Sequence, residues 1–168
     1  MQPLIVDMPY PSLSGIEKNP KYVKLIEQAY AGRHGELTAI LQYVYQSVYF
    51  KKEGKDGTAD KIMQIAVAEM KHLKILASLI LVLGKDPIYA TTGFFGPSFF
   101  DASFVSYCKS PKKMLIDDLS DELIAIDFYK SAAEDIKDEK VAAVLKRIML
   151  DEELHAVILK EEISACKD

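Results

Sequence analysis

The chain has 168 residues, of which 49 % are hydrophobic and 27 % charged, with a formal net charge of −4 and a sequence pI near 5.4. That length suits a single domain able to bury a substantial core without staples. The acidic balance, with no basic stripe interleaved with aromatics, excludes the electrostatic footprint of a nucleic-acid binder. Two cysteines, Cys108 and Cys166, belong to no Cys-x-x-Cys motif, which excludes a rubredoxin-type iron centre and a structural zinc knuckle and fits a reducing cytoplasm. Met1 to Pro11 lacks the basic start and apolar core of a signal peptide, and the longest apolar stretch, Ile75 to Leu83, is far short of the ~20 residues that span a bilayer. The expectation is a cytoplasmic protein with neither membrane nor nucleic acid as partner.

Residues 1–18 read as an N-terminal extension. Asn19-Pro20 is an N-cap followed by proline at the first helical position, and the pattern predicts one helix from there to about Lys52. Its apolar face is expected to run through Ile26, Ala29, Leu37, Ile40, Leu41, Val44 and Val48, with Glu36 inside that stripe. Glu53-Gly54-Lys55-Asp56-Gly57 breaks the pattern. Thr58 is expected to cap a second helix that continues to Gly84, with Ile62, Ile65, Ala66, Leu73, Leu76 and Leu83 inward alongside Glu69 and His72. Residues 85–109, rich in glycine and aromatics, show no sustained helical period and read as a long crossover whose phenylalanines serve packing. Ser110-Pro111 starts a third helix running to about Ile136, with Leu115, Leu119, Ile126, Tyr129 and Ala133 flanking Glu122. Asp138 caps a fourth, carrying Val141, Leu145, Ile148, Glu152, His155 and Leu159 at spacings of three and four.

The chemistry-bearing residues form one pattern written twice: Glu36 then Glu69-Met70-Lys71-His72, and Glu122 then Glu152-Glu153-Leu154-His155. Residues three apart share a helix face, so each Glu-x-x-His presents a carboxylate and an imidazole together. The lone glutamate precedes its motif by 33 residues in one half and 30 in the other, about one helix, a turn and half the next, which relates the halves by a pseudo-two-fold. A single Glu-x-x-His is usually a surface pair, but two of the chain's three histidines stand in one. Four helices, two carrying a Glu and two a Glu-x-x-His, make up the ligand set of a dimetal carboxylate bundle. Buried carboxylates cost several kcal/mol each unless cations neutralise them, so two metal ions held by Glu36, Glu69, His72, Glu122, Glu152 and His155 are expected. Such ligands suit iron, manganese and zinc alike, and iron is the first expectation.

Tyr43 and Tyr129 each lie seven residues after a lone glutamate, on its face two turns on. They are candidates to hydrogen-bond a ligand or donate an electron, with a satisfied core aromatic as the plain alternative. Asp118 and Asp151 are candidate acceptors for the outer nitrogens of the imidazoles. His34, two residues before Glu36, is expected to point away from it into solvent, and Glu153 is expected on an outer face.

Gly35 to Tyr43, Glu69 to His72 and Asp151 to His155 resemble the metal-binding segments of the ferritin-like superfamily, nearest to bacterioferritins and rubrerythrin-type proteins, over nearly all of residues 20–165. The resemblance implies an all-α fold, a four-helix bundle with one long crossover between the second and third helices, as a single domain over 1–168. It implies a dimetal oxidoreductase acting on peroxide, oxygen or ferrous iron, peroxidase- or ferroxidase-like ahead of manganese-catalase-like, with an unidentified electron donor. The alternative is an iron-sequestering protein with little turnover. Ala125 stands where rubrerythrins carry an extra carboxylate, and only 13 residues follow His155, too few for a cage-closing fifth helix. Met70 stands at the haem-ligating position of bacterioferritins, where a core methionine serves equally, and haem is not expected. By analogy, a homodimer paired along the first two helices is expected.

Overall fold

The computed structural model describes residues 1–166. Its helices are α1 (Pro20–Ala31), α2 (Glu36–Lys52), α3 (Asp56–Val82), α4 (Pro111–Asp135) and α5 (Glu139–Ala165). Helices α2 with α3 and α4 with α5 pair as hairpins, and the crossover from α3 to α4 completes the bundle the sequence predicts. Among the described residues no helix is long and apolar enough to cross a membrane.

The first predicted helix is two. At Gly32 the chain leaves helical geometry with φ −79° and ψ 179°, and α2 restarts at Glu36. A Cβ on Gly32 would lie 2.5 Å from the Gln28 carbonyl oxygen, and one on Gly35 2.5 Å from the carbonyls of Gln28 and Ala29, so the turn is folded tightly onto the end of α1. Thr38 Oγ1 donates to the Gly32 carbonyl at 2.9 Å and ties the restart to the break. The break resets the helical phase, and the expected apolar stripe does not carry across it. Leu41, Val44 and Val48 are exposed at 40, 38 and 64 %, while Glu36, Gln42, Tyr43, Gln46 and Phe50 face inward.

Other starts hold in part. Asn19 accepts from the Lys21 N–H and Asp138 from those of Lys140 and Val141, whereas Ser110 makes no side-chain cap bond. Thr58 does not cap the second long helix, which begins at Asp56; its hydroxyl instead donates to Glu162 on α5. The crossover contains an antiparallel hairpin, β1 (Ala90–Gly93) with β2 (Gly96–Phe99), Thr91 opposite Ser98, followed by a 3-10 turn at Ala102–Phe104. Its phenylalanines do not all pack. Phe94 and Phe95 stand in water at the hairpin tip.

Two apolar cores lie along the bundle. One joins α1 to the end of α3, the end of α4 and the start of α5, through Ile26, Leu79, Ile136 and Leu145. The other joins the end of α2, the start of α3, the start of α4 and the end of α5, through Phe50, Ile62, Leu115 and Leu159. Between them lies a layer of buried charge.

Candidate metal centre

That layer holds all six residues of the doubled pattern. Glu36 and Glu122 come from α2 and α4, Glu69 and His72 from α3, Glu152 and His155 from α5, and none is more than 5 % exposed. They form two overlapping groups of four, Glu36, Glu69, His72 and Glu152, and Glu69, Glu122, Glu152 and His155, each offering ligand atoms within 4.8 Å of one another. Glu69 and Glu152 belong to both groups, so the carboxylates of the two Glu-x-x-His motifs lie between two positions that each have one lone glutamate and one imidazole.

Both imidazoles present the same nitrogen. His72 Nδ1 lies 2.9 Å from Glu69 and 3.1 Å from Glu152, and His155 Nδ1 lies 2.9 Å from Glu69 and 3.2 Å from Glu152. On the far side, His72 Nε2 meets an Asp151 carboxylate oxygen at 3.0 Å and His155 Nε2 the Leu4 carbonyl at 2.8 Å. With acceptors on that side, Nε2 carries a hydrogen and Nδ1 faces carboxylates. A bare Nδ1 lone pair against those anions would be repelled, so the nitrogen takes up a proton or a cation there. Burial opposes a charged imidazole, yet Glu152 and Glu69 outweigh it at His72, and Glu69 with Glu152 at His155, so both rings hold protons well above the usual histidine range. Burial, then neighbouring Glu69 and Glu152, likewise push Glu36 and Glu122 well above the ordinary carboxylate range. Glu69 Oε1 and Glu152 Oε1 are buried and face the imidazoles, 2.9 Å from His155 Nδ1 and 3.1 Å from His72 Nδ1. These donors fit divalent cations, which would take the place of the protons.

The tyrosines cross between halves. Tyr129 on α4 donates its hydroxyl to Glu36 on α2, and Tyr43 on α2 donates to Glu122 on α4. Sequence spacing put each phenol on the right face, but its partner is the lone glutamate of the other half. Burial, then the charge of Glu122 at Tyr43 and of Glu36 at Tyr129, raise both phenols well above their usual range, so they act as donors and not as bases.

Of the two aspartates expected behind the imidazoles, Asp151 is there, serving His72 and not the His155 on its own helix. Asp118 is not. It accepts from Gln42 Nε2 at 2.9 Å and Gln46 Nε2 at 2.7 Å, touches no imidazole, and burial raises its carboxyl to about 8 against the pull of those two hydrogen bonds. Nothing in the one-letter pattern pointed to the N-terminal extension, yet Leu4, Val6 and Tyr10 lie against the imidazoles and Asp151. Backbone carbonyls leave no compositional signal. Met70 lies outward at 43 % exposure and is not core, and Glu153 faces water as expected.

A cavity of ≈ 240 Å³ leads to the centre from the α1–α2 break. Glu36, Glu69, Glu122, Glu152 and both tyrosines line it; His72 and His155 do not. Its walls are largely apolar, including Ala29, Ala39, Ala125 and Phe128, and His34 and Asp121 line it as well. His34 is not merely solvated, for its Nδ1 lies 2.8 Å from Asp121 Oδ1.

A four-helix bundle with one long crossover, carrying four carboxylates and two imidazoles at its centre, defines a dimetal carboxylate protein. The family model for the ferritin-like domain matches residues 32–168, and the chain belongs to that family. It is 25 % identical over 169 aligned positions to a probable manganese catalase of Clostridium acetobutylicum, covering 90 % of this chain and 74 % of the relative. Among solved structures it resembles KatB, a manganese catalase from Anabaena, with a TM-score of 0.82 and 21 % identity over 95 % of this chain and 78 % of that one. It also resembles a bacterioferritin of Rhodobacter capsulatus, with a TM-score of 0.74 and 24 % identity over 89 and 88 % of the two chains.

Proposed function

We propose that this protein is a dimetal oxidoreductase that consumes hydrogen peroxide, with Glu36, Glu69, His72, Glu122, Glu152 and His155 as the metal ligands. The observation that carries the reading is the pair of overlapping four-residue groups sharing Glu69 and Glu152. The curated relative, a probable manganese catalase, turns the balance from a peroxidase that needs an outside donor toward disproportionation. Two molecules of peroxide then give two of water and one of dioxygen: one is oxidised by two electrons, and its electrons and protons reduce the other. When bound, a pair of redox metals, manganese or iron, supplies the reversible two-electron capacity. The protein does the rest. Its cavity of ≈ 240 Å³, with largely apolar walls, has room for a molecule as small as peroxide. Glu36 and Glu122 face that cavity, and Tyr129 and Tyr43, which donate to them, fix the orientation of those carboxylates.

The test is elemental analysis of protein purified from its native host, followed by oxygen evolution from peroxide with no added reductant. Two manganese or iron ions per chain and one O₂ per two peroxides support the proposal; a metal-loaded protein evolving no oxygen refutes it. The likeness to bacterioferritin favours a second reading, oxidation and sequestration of ferrous iron, which a cage-sized particle in light scattering would support. Pairing of two copies along α2 is supported by the exposed row Leu41, Val44 and Val48.

A further inference from the structure

The pseudo-two-fold is obeyed by the glutamates, the tyrosines and the inner nitrogens of the imidazoles, and it fails behind the imidazoles. The residue before Glu152 is Asp151, whose carboxylate reaches His72 across the bundle. The residue before Glu69, its counterpart in the other half, is Ala68, fully buried and without a polar atom on its side chain. His155 therefore has no carboxylate behind it. Its Nε2 is met by the Leu4 carbonyl, from a segment with no counterpart in the other half.

That segment is fastened on both sides of the centre. Leu4 N donates to the Gln64 carbonyl of α3 at 3.3 Å. Val6 N donates to Asp151 Oδ1 at 2.7 Å and the Tyr10 hydroxyl to Asp151 Oδ2 at 2.5 Å. Arg147 pairs with Asp151 at 2.9 Å and donates to the carbonyls of Val6 and Met8. Its guanidinium also lies 4.3 Å from the centre of the Tyr10 ring, whose edge packs against His72. The chain thus holds an anion behind one imidazole and a neutral carbonyl behind the other. A carboxylate on the outer N–H raises the basicity of the metal-facing nitrogen, and losing such a partner typically lowers metal affinity ~10–100-fold.

We propose that residues 4–10 are part of the metal centre and make its two positions unequal, so that the first ion enters at Glu36, Glu69, His72 and Glu152 and the second at Glu69, Glu122, Glu152 and His155. The inference rests on the six residues being metal ligands, as proposed above, and it concerns order of loading and not turnover.

The test is a titration of metal-depleted full-length protein with Mn(II), followed by calorimetry and by electron paramagnetic resonance of free Mn(II). Two steps separated by about tenfold or more are expected. His155→Ala should keep the tighter step and His72→Ala should lose it. Asp151→Asn, which touches no candidate ligand atom and keeps an oxygen acceptor, should weaken the first step about tenfold or more and leave the second near its original value. Tyr10→Phe should weaken the first step in the same direction while retaining the helical circular dichroism of the parent. Two equal steps in the parent protein, or a tighter step lost in His155→Ala and kept in His72→Ala, would overturn the proposal while leaving the peroxide reading intact. Unequal steps in a protein that evolves no oxygen would uphold it and sink that reading.

Discussion

Asp118 is a group whose replacement should stabilise this protein. It is fully buried, and its Oδ2 has no hydrogen-bond partner while Gln42 and Gln46 both donate to Oδ1. Burial lifts its carboxyl from an ordinary value of 3.8 to about 8. The folded state thus binds a proton that the unfolded state releases above pH 4, so stability is fully present below the unfolded value and is lost as pH rises toward the folded one. At pH 7 the group has crossed about three pH units of that window, at ~1.4 kcal/mol each, or roughly 4 kcal/mol. Asparagine keeps the oxygen that accepts from both glutamines and titrates nowhere. Asp118→Asn should therefore be more stable than the parent at pH 7 by about 2–4 kcal/mol, and the gain should fall toward zero as pH drops to 4. For a chain of this size that is a rise in Tm of about 5–15 °C. Urea denaturation of metal-depleted protein at several pH values measures it. A gain that does not depend on pH, or a loss at pH 7, would refute the account of Asp118 as a buried acid held neutral.

Glu69→Ala removes a carboxylate common to both groups of four and should lower metal content from two ions per chain to one or none, with the helical signal retained; two ions by elemental analysis would count against the ligand assignment. Tyr43→Phe and Tyr129→Phe each take one hydrogen bond from a lone glutamate, and should keep both ions while lowering peroxide turnover by about tenfold or more, the scale on which outer partners of ligands act. Ala125→Leu adds bulk to the wall of the access cavity and should reduce kcat/KM for peroxide several-fold without altering metal content, readable from initial rates of oxygen release. Because His72, His155, Glu36 and Glu122 all hold protons above their usual ranges, uptake of Mn(II) should expel protons and its apparent affinity should fall as pH is lowered. Proton release measured at two pH values checks the sign.

Much of the centre was legible in the linear pattern, because a helix converts spacing into direction. Glu69 and His72, or Glu152 and His155, must leave one face together whatever else the chain does. On α5 the apolar positions run unbroken through the motif, and Val141, Leu145, Ile148 and Leu159 are all buried as expected. The same reasoning failed on the first helix, where Gly32 and Gly35 end one helical phase and begin another, and Leu41, Val44 and Val48 came out on the surface. The glycines were the visible warning, since paired breakers interrupt a period that otherwise extrapolates.

Spacing within each helix determined which side chains travel together, and the doubled motif determined that four acids and two imidazoles would meet at the middle of a bundle. Tertiary structure alone decided who faces whom across it: Tyr43 with Glu122, Tyr129 with Glu36, Asp151 behind His72, and the Leu4 carbonyl behind His155. The division has a physical cause. Helical periodicity is local and is written in residue order, whereas contacts between helices depend on crossing angles and on backbone groups that every residue carries alike.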